Sequence, residues 1–397
     1  MRLTAHWPPV ARWAAMPVAA AVLPLAIGTA PAAAATFAAI GGSGSSWASV
    51  AIDQWAQHVR SAGKVVNFNP DGSAAGRADY IAGQDDFAVS DVPFRNGHDK
   101  LAGTGREVVP WGYSYIPVPA GGIAFPYHIA VHGHLVRNLR LSARTLMEIF
   151  TGRITNWDSP QITRDYGTSL PDLPVTPVIH SDGSGVTYYF TRWLAHVFPR
   201  QWNAFCDRVN PGIVAPCGQT EFYPRFGRAK AENGSNNVMT YITADQSNGS
   251  IGYDEYAYPL TSNYPVLKLR NPAGKYVLPA AANVTTALTQ AVIDTNPRSS
   301  RYLQENLNKV YTYKNSASYP LSYTSYLIVP RTRTKPPPHF TNARGRTLSA
   351  FTVFALCRGQ SHMARGYAPL PRNLVKDGLQ QARRIPGHGR IPSLSQC

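Results

Sequence analysis

The stretch from Val178 to Phe190 reads V-I-H-S-D-G-S-G-V-T-Y-Y-F. A β-type apolar beginning leads into a polar Asp-Gly-Ser-Gly turn, and an apolar run at helical spacing follows the turn. Asp182 is predicted to cap this helix, and the glycines allow close backbone approach. The first amide groups of the helix, together with Ser184, can then donate hydrogen bonds to an oxyanion. An ordinary capped helix start has the same pattern, so other parts of the chain must support this interpretation.

A second strand, turn and helix start is predicted near the beginning of the chain. Thr36–Ile40 has a β-type pattern, Gly41–Trp47 is a turn rich in glycine and serine, and Ala48–His58 has apolar positions at helical spacing. A third helix start lies in Asp71–Gly76, which follows the alternating run Val65–Phe68. The sequence therefore predicts three helix starts with free hydrogen-bond donors.

A strand-like run from Asp86 ends in a carboxylate, Asp91. Runs of β pattern alternate with helical runs along the whole chain, which predicts an α/β architecture with mostly parallel strands. In such sheets, ligands lie at the carboxyl ends of strands, next to helix N-termini. Asp91 is therefore predicted to be an acceptor at the same edge as the donors.

The order of these four motifs resembles the phosphate-binding proteins of bacterial ABC importers, the PstS-like branch of the periplasmic binding proteins. Four further segments carry the same resemblance: Thr151–Asp158, Gly249–Tyr258, Tyr319–Pro330 and Gly366–Pro371. The resemblance implies an α/β, two-lobe periplasmic-binding-protein fold of type II with the ligand in the interlobe cleft. It also implies that residues 36–127 and 319–397 form the first lobe and residues 128–318 the second.

Carried over position by position, the resemblance implies a ligand set drawn from both lobes. Its members are Ser46, Trp47, Ser73, Asp91, His180, Ser184, Gly185 and Val186. His180 stands where the family usually has arginine, and Val186 where it usually has threonine. A neutral imidazole lacks the permanent charge and forked donors of a guanidinium. A protonated His180 beside a dianion, or Arg77 just inside the Ser73 helix start, could supply the missing cation.

Asp91 carries the prediction of specificity. An ionised carboxylate only accepts hydrogen bonds, so it can meet an anion only if the anion carries a proton. Phosphate carries one at neutral pH and sulfate does not, and the same charge repels sulfate. Asp91 therefore favours inorganic phosphate among tetrahedral oxyanions.

Composition and charge agree with an exported two-lobe protein. The 397 residues are 44% hydrophobic, enough for two cores, and the formal net charge is +16. No run of five or six like charges marks a nucleic-acid arm, so nucleic acid is not an expected partner. Residues 1–35 have a basic start, a short apolar core and small residues at the end, which predicts a secretory signal peptide. No cysteine lies near the predicted cleavage region, so no lipid anchor is predicted.

All four cysteines lie in the exported part of the chain, and an even count suits an oxidising compartment. Two disulfides are expected, Cys206–Cys217 around a loop and Cys357–Cys397 between the tail and the last main helix. The cysteine spacing does not fit a metal site. The sequence predicts neither a metal nor a cofactor.

The resemblance implies a monomeric solute-binding protein that captures phosphate outside the cytoplasm and delivers it to an ABC permease. Three alternatives stay open: a binding protein for another oxyanion or a phosphate ester, a surface protein with a decayed pocket, and a secreted phosphatase. Neither Ser43 nor Ser184 lies in a G-x-S-x-G motif, which argues against the phosphatase.

Overall fold

The computed structural model describes residues 37–332 and 335–397, in which strands and helices alternate. The predicted signal peptide lies outside these residues. The strands are β1 (Ile40–Gly44), β2 (Val66–Asn69), β3 (Phe87–Ser90), β4 (Tyr113–Ala124), β5 (Tyr127–His128), β6 (Ala130–Val131), β7 (His134–Leu135), β8 (Arg140–Leu141), β9 (Thr176–His180), β10 (Lys230–Glu232), β11 (Ser250–Gly252), β12 (Asp254–Glu255), β13 (Lys268–Arg270), β14 (Tyr276–Val277), β15 (Val292–Ile293), β16 (Glu305–Asn306) and β17 (Ser322–Pro330). The helices are α1 (Ser49–Arg60), α2 (Ser73–Ala82), α3 (Ala143–Phe150), α4 (Pro160–Tyr166), α5 (Gly185–Val197), α6 (Pro199–Val209), α7 (Gly234–Thr243), α8 (Ala257–Thr261), α9 (Ala281–Leu288), α10 (Asn308–Tyr311), α11 (Asn342–Leu356) and α12 (Arg372–Ala382).

The larger sheet has the strand order β12-β4-β17-β3-β1-β2. β1 runs parallel to β2 and β3, but β17 runs antiparallel to both β3 and β4, and β12 runs antiparallel to β4. The prediction of mostly parallel strands is therefore wrong for this sheet. The reason is that β17 returns to it from far along the chain and pairs with the long strand β4 in the opposite direction.

A smaller sheet has the order β10-β9-β11-β5. Here β9 lies between two parallel neighbours, β10 and β11, and only β5 is antiparallel. The strand before the Asp-Gly-Ser-Gly turn is thus an inner strand of this sheet. β12 comes from within residues 128–318 yet pairs in the larger sheet, and the predicted lobe borders stay a prediction.

The glycine run near the start of the chain is a strand and not the predicted turn. β1 spans Ile40–Gly44, later than the predicted strand Thr36–Ile40. The glycines are there for close packing: a Cβ on Gly76 of α2 would lie 2.5 Å from the Cα of Gly44, and one on Gly42 would lie 2.6 Å from the ring of Phe87. Larger residues would push α2 and β3 away from β1.

Both predicted disulfides are confirmed. Cys206 and Cys217 are bonded with their Cα atoms 6.4 Å apart, and Cys357 and Cys397 with theirs 4.8 Å apart. The second bond ties the end of the chain to the residue that follows α11, as expected. Among the helices of the described residues, none is both long and apolar enough to cross a membrane.

Candidate functional site

The stretch Val178–Phe190 folds as predicted, with β9 ending at His180 and α5 beginning at Gly185. The capping prediction is wrong, because Asp182 does not cap α5. Its Oδ1 instead accepts a hydrogen bond of 2.8 Å from the backbone amide of Gly234, the first residue of α7. That amide has no partner within its own helix, so a carboxylate placed there is stabilised by it. A fourth helix start therefore joins the site.

Asp91 lies at the end of β3, as predicted, and is held by serine hydroxyls. Ser45 donates to Oδ1 at 3.0 Å and Oδ2 at 2.9 Å, and Ser73 donates to Oδ2 at 3.3 Å. Ser325 of β17 donates to Oδ1. Ser45 has a single hydroxyl proton, which it shares between the two carboxylate oxygens. A carboxylate has about four acceptor positions, so the three hydroxyl protons leave roughly one of them for a further donor.

The Asp91 carboxyl is 1% exposed, and this burial raises its pKa to about 6. The hydrogen bonds from Ser325, Ser45 and Ser73, and the charge of Arg77, oppose the rise because each stabilises the ionised form. The group is thus an acceptor that is ionised above about pH 6 and protonated below it.

The turn before α5 packs directly onto Asp91 and the start of α2. A Cβ on Gly185 would lie 2.0 Å from Asp91 Oδ2. A Cβ on Gly183 would lie 2.5 Å from the Cβ of Ala74, whose amide donates to the Gly183 carbonyl at 3.3 Å. The structure thus brings Ser73, Asp91 and Gly185 together.

Ser46 and Trp47 follow Ser45 directly, but their side chains contact residues other than Asp91. The Ser46 hydroxyl lies 3.4 Å from that of Ser235 in α7, and its carbonyl accepts from the Tyr258 hydroxyl at 2.9 Å. Trp47 is buried and stacks on Tyr323 with a centroid distance of 4.5 Å, and its indole nitrogen has no partner within the described residues. Trp47 thus packs as a core side chain that keeps one free donor.

His180 is buried beside two carboxylates. Its Nδ1 lies 3.3 Å from Asp182 Oδ1, and its Nε2 is buried with no partner in the described residues. Burial lowers the pKa of His180, but the hydrogen bond and charge of Asp182 and the charge of Asp254 outweigh burial and raise the pKa above its ordinary value. The environment therefore favours the imidazolium at the position where the family usually has arginine. Val186, the other departure, is buried in the first turn of α5.

Arg77 is fully buried in a cluster of charges. Its Nε lies 3.0 Å from a Glu107 oxygen, its Nη2 lies 2.7 Å from Glu221, and its Nη1 donates to Ser90 at 3.2 Å. Arg95 pairs with the same two glutamates at 3.1 and 2.5 Å. The guanidinium predicted as an auxiliary cation is thus directed to carboxylates, although its charge still lowers the pKa of Asp91.

Three residues of the site were not predicted as ligands or supports: Ser45, Ser325 and Glu221. Ser45 lies in the run Gly41–Trp47, and its position directly before the predicted ligand Ser46 could have indicated its role. Ser325 and Glu221 gave no local signal, because they lie 234 and 144 positions from the residues they bond. In the parts that the structure describes, no group of three or more His, Cys, Asp or Glu side chains is placed to hold a metal ion.

Comparison with known proteins shows the family of the chain. Residues 29–358 match the model of the PBP superfamily domain. The chain belongs to this superfamily, in its PstS-like branch. It is 30% identical to the phosphate-binding protein PstS of Xylella fastidiosa strain 9a5c, over 85% of this chain and 83% of that one. It is 26% identical to the protein of the same name from Methanocaldococcus jannaschii, over 81% of this chain and 79% of that one.

Solved structures show the same fold. The periplasmic phosphate-binding protein PfluDING, bound with phosphate, superimposes with a TM-score of 0.59 and 19% sequence identity, covering 85% of this chain and 92% of that one. The PBP-superfamily fold has two lobes, and in this chain the turn before α5 lies against Asp91.

Stability of the fold should fall as the pH rises from about 4 to about 7. Burial raises the pKa of Asp91 and Asp254 to about 6 and that of Glu305 to about 7. These carboxyls hold protons in the folded state at pH values where they have lost them in the unfolded state. Their stabilisation is therefore complete below about pH 4 and disappears as the pH passes their folded pKa values.

Urea unfolding of the mature protein at pH 5, 6, 7 and 8 measures this effect as a falling free energy of unfolding. Burial raises the pKa of Asp182, but His180 lowers it more, so the pKa lies below its ordinary value. Asp182 therefore makes the free energy of unfolding rise with pH, but only at pH values below about 4. In the Glu305→Gln protein, the free energy of unfolding should fall less steeply with pH above pH 5. A free energy that rises from pH 5 to pH 7 would contradict the prediction.

Proposed function

We propose that this chain binds inorganic phosphate between its two lobes, with Asp91 as the acceptor that selects a protonated anion. The observation that carries the proposal is the environment of Asp91. The carboxylate is buried, three serine hydroxyls hold it, and the start of α5 lies against it. About one acceptor position remains, which matches one phosphate O–H group.

The donors for the anion come from the helix starts around Asp91. The first amides of a helix have no partner within the helix, and the dipole favours negative charge there. α2 begins at Ser73 and α5 at Gly185, and these starts converge on Asp91 from different parts of the chain. Hydrogen bonds to an ionised group contribute roughly 1.5–3 kcal/mol each, so a few of them suffice for micromolar binding.

His180 supports the same proposal as the replacement for the family's arginine. Its raised pKa results from Asp182 and Asp254 and does not depend on an anion. A dianion in the cleft would add a further negative charge and favour the imidazolium more strongly. His180 would then act as a charge near the ligand, without the forked geometry of a guanidinium.

The proposal extends to the role of the protein outside the cytoplasm. Relatives are named phosphate-binding protein PstS, which supports export, capture of phosphate and delivery to an ABC permease by a monomer. Residues 36–127 with 319–397, and residues 128–318, would be the lobes that close on the ligand. No catalytic step is proposed, because relatives named in the comparisons are binding proteins.

Titration calorimetry with phosphate and with sulfate at pH 8, where Asp91 is ionised, tests the proposal. The mature protein should bind phosphate and give no heat with sulfate. Asp91→Asn should bind sulfate at least ~10-fold more tightly than the wild-type protein, because one repulsive charge is removed and an amide donor is added, together worth more than about 1.4 kcal/mol.

Asp158→Asn is the matched control, since it removes one negative charge from an exposed position and should leave both titrations unchanged. If the wild-type protein binds sulfate as tightly as phosphate, Asp91 does not select the ligand. If it binds neither anion, the phosphate proposal is wrong and the decayed-pocket alternative is favoured.

A further inference from the structure

A pocket of 460 Å³ lies beside the Asp91 site. Residues 92–99, one face of α5 and residues 300–308 contribute to its walls. The α5 residues Tyr188, Arg192 and Ala195 are four and three positions apart, so they share one side of the helix. Arg192 comes seven residues after Gly185, which places it about 10 Å along the helix from the anion turn.

The walls of this pocket carry an excess of basic side chains. They are Arg95, His98, Arg192, His196 and Arg301. His98, His196 and Arg301 are exposed, while Arg95 and Arg192 are half-buried. Arg95 already pairs with Glu107 and Glu221, so Arg192 and Arg301 are the arginines of this concave surface that favour an anionic occupant.

The carboxylates in the walls do not balance this charge. All are buried and already have partners: Asp99 accepts from Thr220 at 2.8 Å, Glu221 pairs with Arg77 and Arg95, and Glu305 accepts from Thr324 at 2.6 Å. Burial also raises the pKa of Glu305 to about 7, so it carries only part of a negative charge at neutral pH. The side chains that remain for a ligand are basic.

Arg192 is the residue with the most unused donors. A guanidinium has five N–H groups, and Arg192 donates one hydrogen bond, from Nη2 to the Glu305 carbonyl at 3.0 Å. Among the described residues, no carboxylate forms an ion pair with it within 4.0 Å, and its guanidinium lies 5.8 Å from the Tyr189 ring centroid. A half-buried guanidinium held in place by a carbonyl and a ring is suited to bidentate contact with an oxyanion.

We propose that the pocket around Arg192 is a second anion site that takes a phosphoryl group. This site is separate from the Asp91 cleft, and its wall carboxylates Asp99, Glu221 and Glu305 are already bonded within the protein. The occupant is either a second free phosphate or the far end of a phosphate chain whose near end lies in the cleft. The separation of about 10 Å requires several linked phosphoryl groups for the second case.

Equilibrium dialysis of the mature protein with labelled phosphate, up to millimolar concentration, tests the proposal. The wild-type protein should bind two phosphates per chain, one tightly and one more weakly. Arg192→Gln should weaken the second event by ~10-fold or more and leave the first unchanged. Arg60→Gln removes an exposed arginine that does not line the pocket and should change neither event.

Arg301→Gln provides a second variant, because Arg301 is exposed and its loss should not affect folding. It should weaken the second event about threefold. Tripolyphosphate distinguishes the two sources. If one tripolyphosphate molecule displaces both bound phosphates, the ligand spans the two sites. If it displaces only one phosphate, the two sites bind separate anions. Both results support a second site.

A wild-type protein that binds a single phosphate, lost in Gly185→Ala and unaffected by Arg192→Gln, would overturn this inference and leave the proposed function intact. A single phosphate lost in Arg192→Gln and unaffected by Gly185→Ala would overturn the proposed cleft site and support the pocket. An Arg192→Gln protein that binds the second phosphate as tightly as the wild-type protein does would also overturn the inference.

Discussion

Replacing Gly185 by alanine is expected to weaken phosphate binding by ~100-fold. The added Cβ would lie 2.0 Å from Asp91 Oδ2 and 2.1 Å from Asp91 Cβ, far inside van der Waals contact. Neither neighbour can yield, because Asp91 is held by three hydroxyls and Gly185 begins α5. The turn must therefore move away from Asp91, and the donors of α5 lose their positions around the anion. Overpacking of this kind costs about 1–3 kcal/mol or more.

Titration calorimetry with phosphate at pH 8 measures the effect, and Gly41→Ala is the matched control. Gly41 lies in β1, on the same side of the site as Asp91, and nothing lies within 4 Å of the Cβ that alanine would add there. This variant should bind phosphate like the wild-type protein. A Gly185→Ala protein with unchanged affinity would show that closure of the α5 turn onto Asp91 is not the binding geometry.

Local sequence was enough to predict the parts of the site that depend on a strand, a small-residue turn and a helix in succession. The helix starts at Ser73 and Gly185, and Asp91 at the end of β3, were predicted because their patterns are complete within about ten residues. The disulfide between Cys206 and Cys217 was predicted for the same reason, since it closes a short loop.

Contacts between distant segments could not be predicted in this way. Gly42 and Gly44 have a turn composition, but Phe87 and Gly76 pack so closely on them that only glycine fits in the strand. Asp182 has the sequence position of a cap for α5, yet the amide of Gly234, 52 positions away, takes its carboxylate. Local propensity was overridden in both cases by packing that the sequence alone does not reveal.

Glu221 gives the second large expected effect, which is on stability. It is 1% exposed and pairs with Arg77 and Arg95, and both arginines also pair with Glu107. Glu221→Gln would leave two arginine charges against one carboxylate, with Arg77 fully buried. Removing one partner of a buried ion pair costs about 3–5 kcal/mol, because the remaining charge is left without compensation.

Urea unfolding at pH 7 measures the loss, with Arg144→Gln as the control. Arg144 pairs with Glu148 at 3.1 Å but is 71% exposed, so losing this pair should cost less than about 1 kcal/mol. The comparison also decides the role of Arg77, which was predicted as an auxiliary cation for the anion. If Glu221 holds Arg77 as part of the fold, Glu221→Gln destabilises the protein strongly. Added phosphate then stabilises this variant no more than it stabilises the wild-type protein. If Arg77 is instead a ligand group, the freed guanidinium should bind phosphate more tightly, and the Glu221→Gln protein would gain more stability from phosphate than the wild-type protein does.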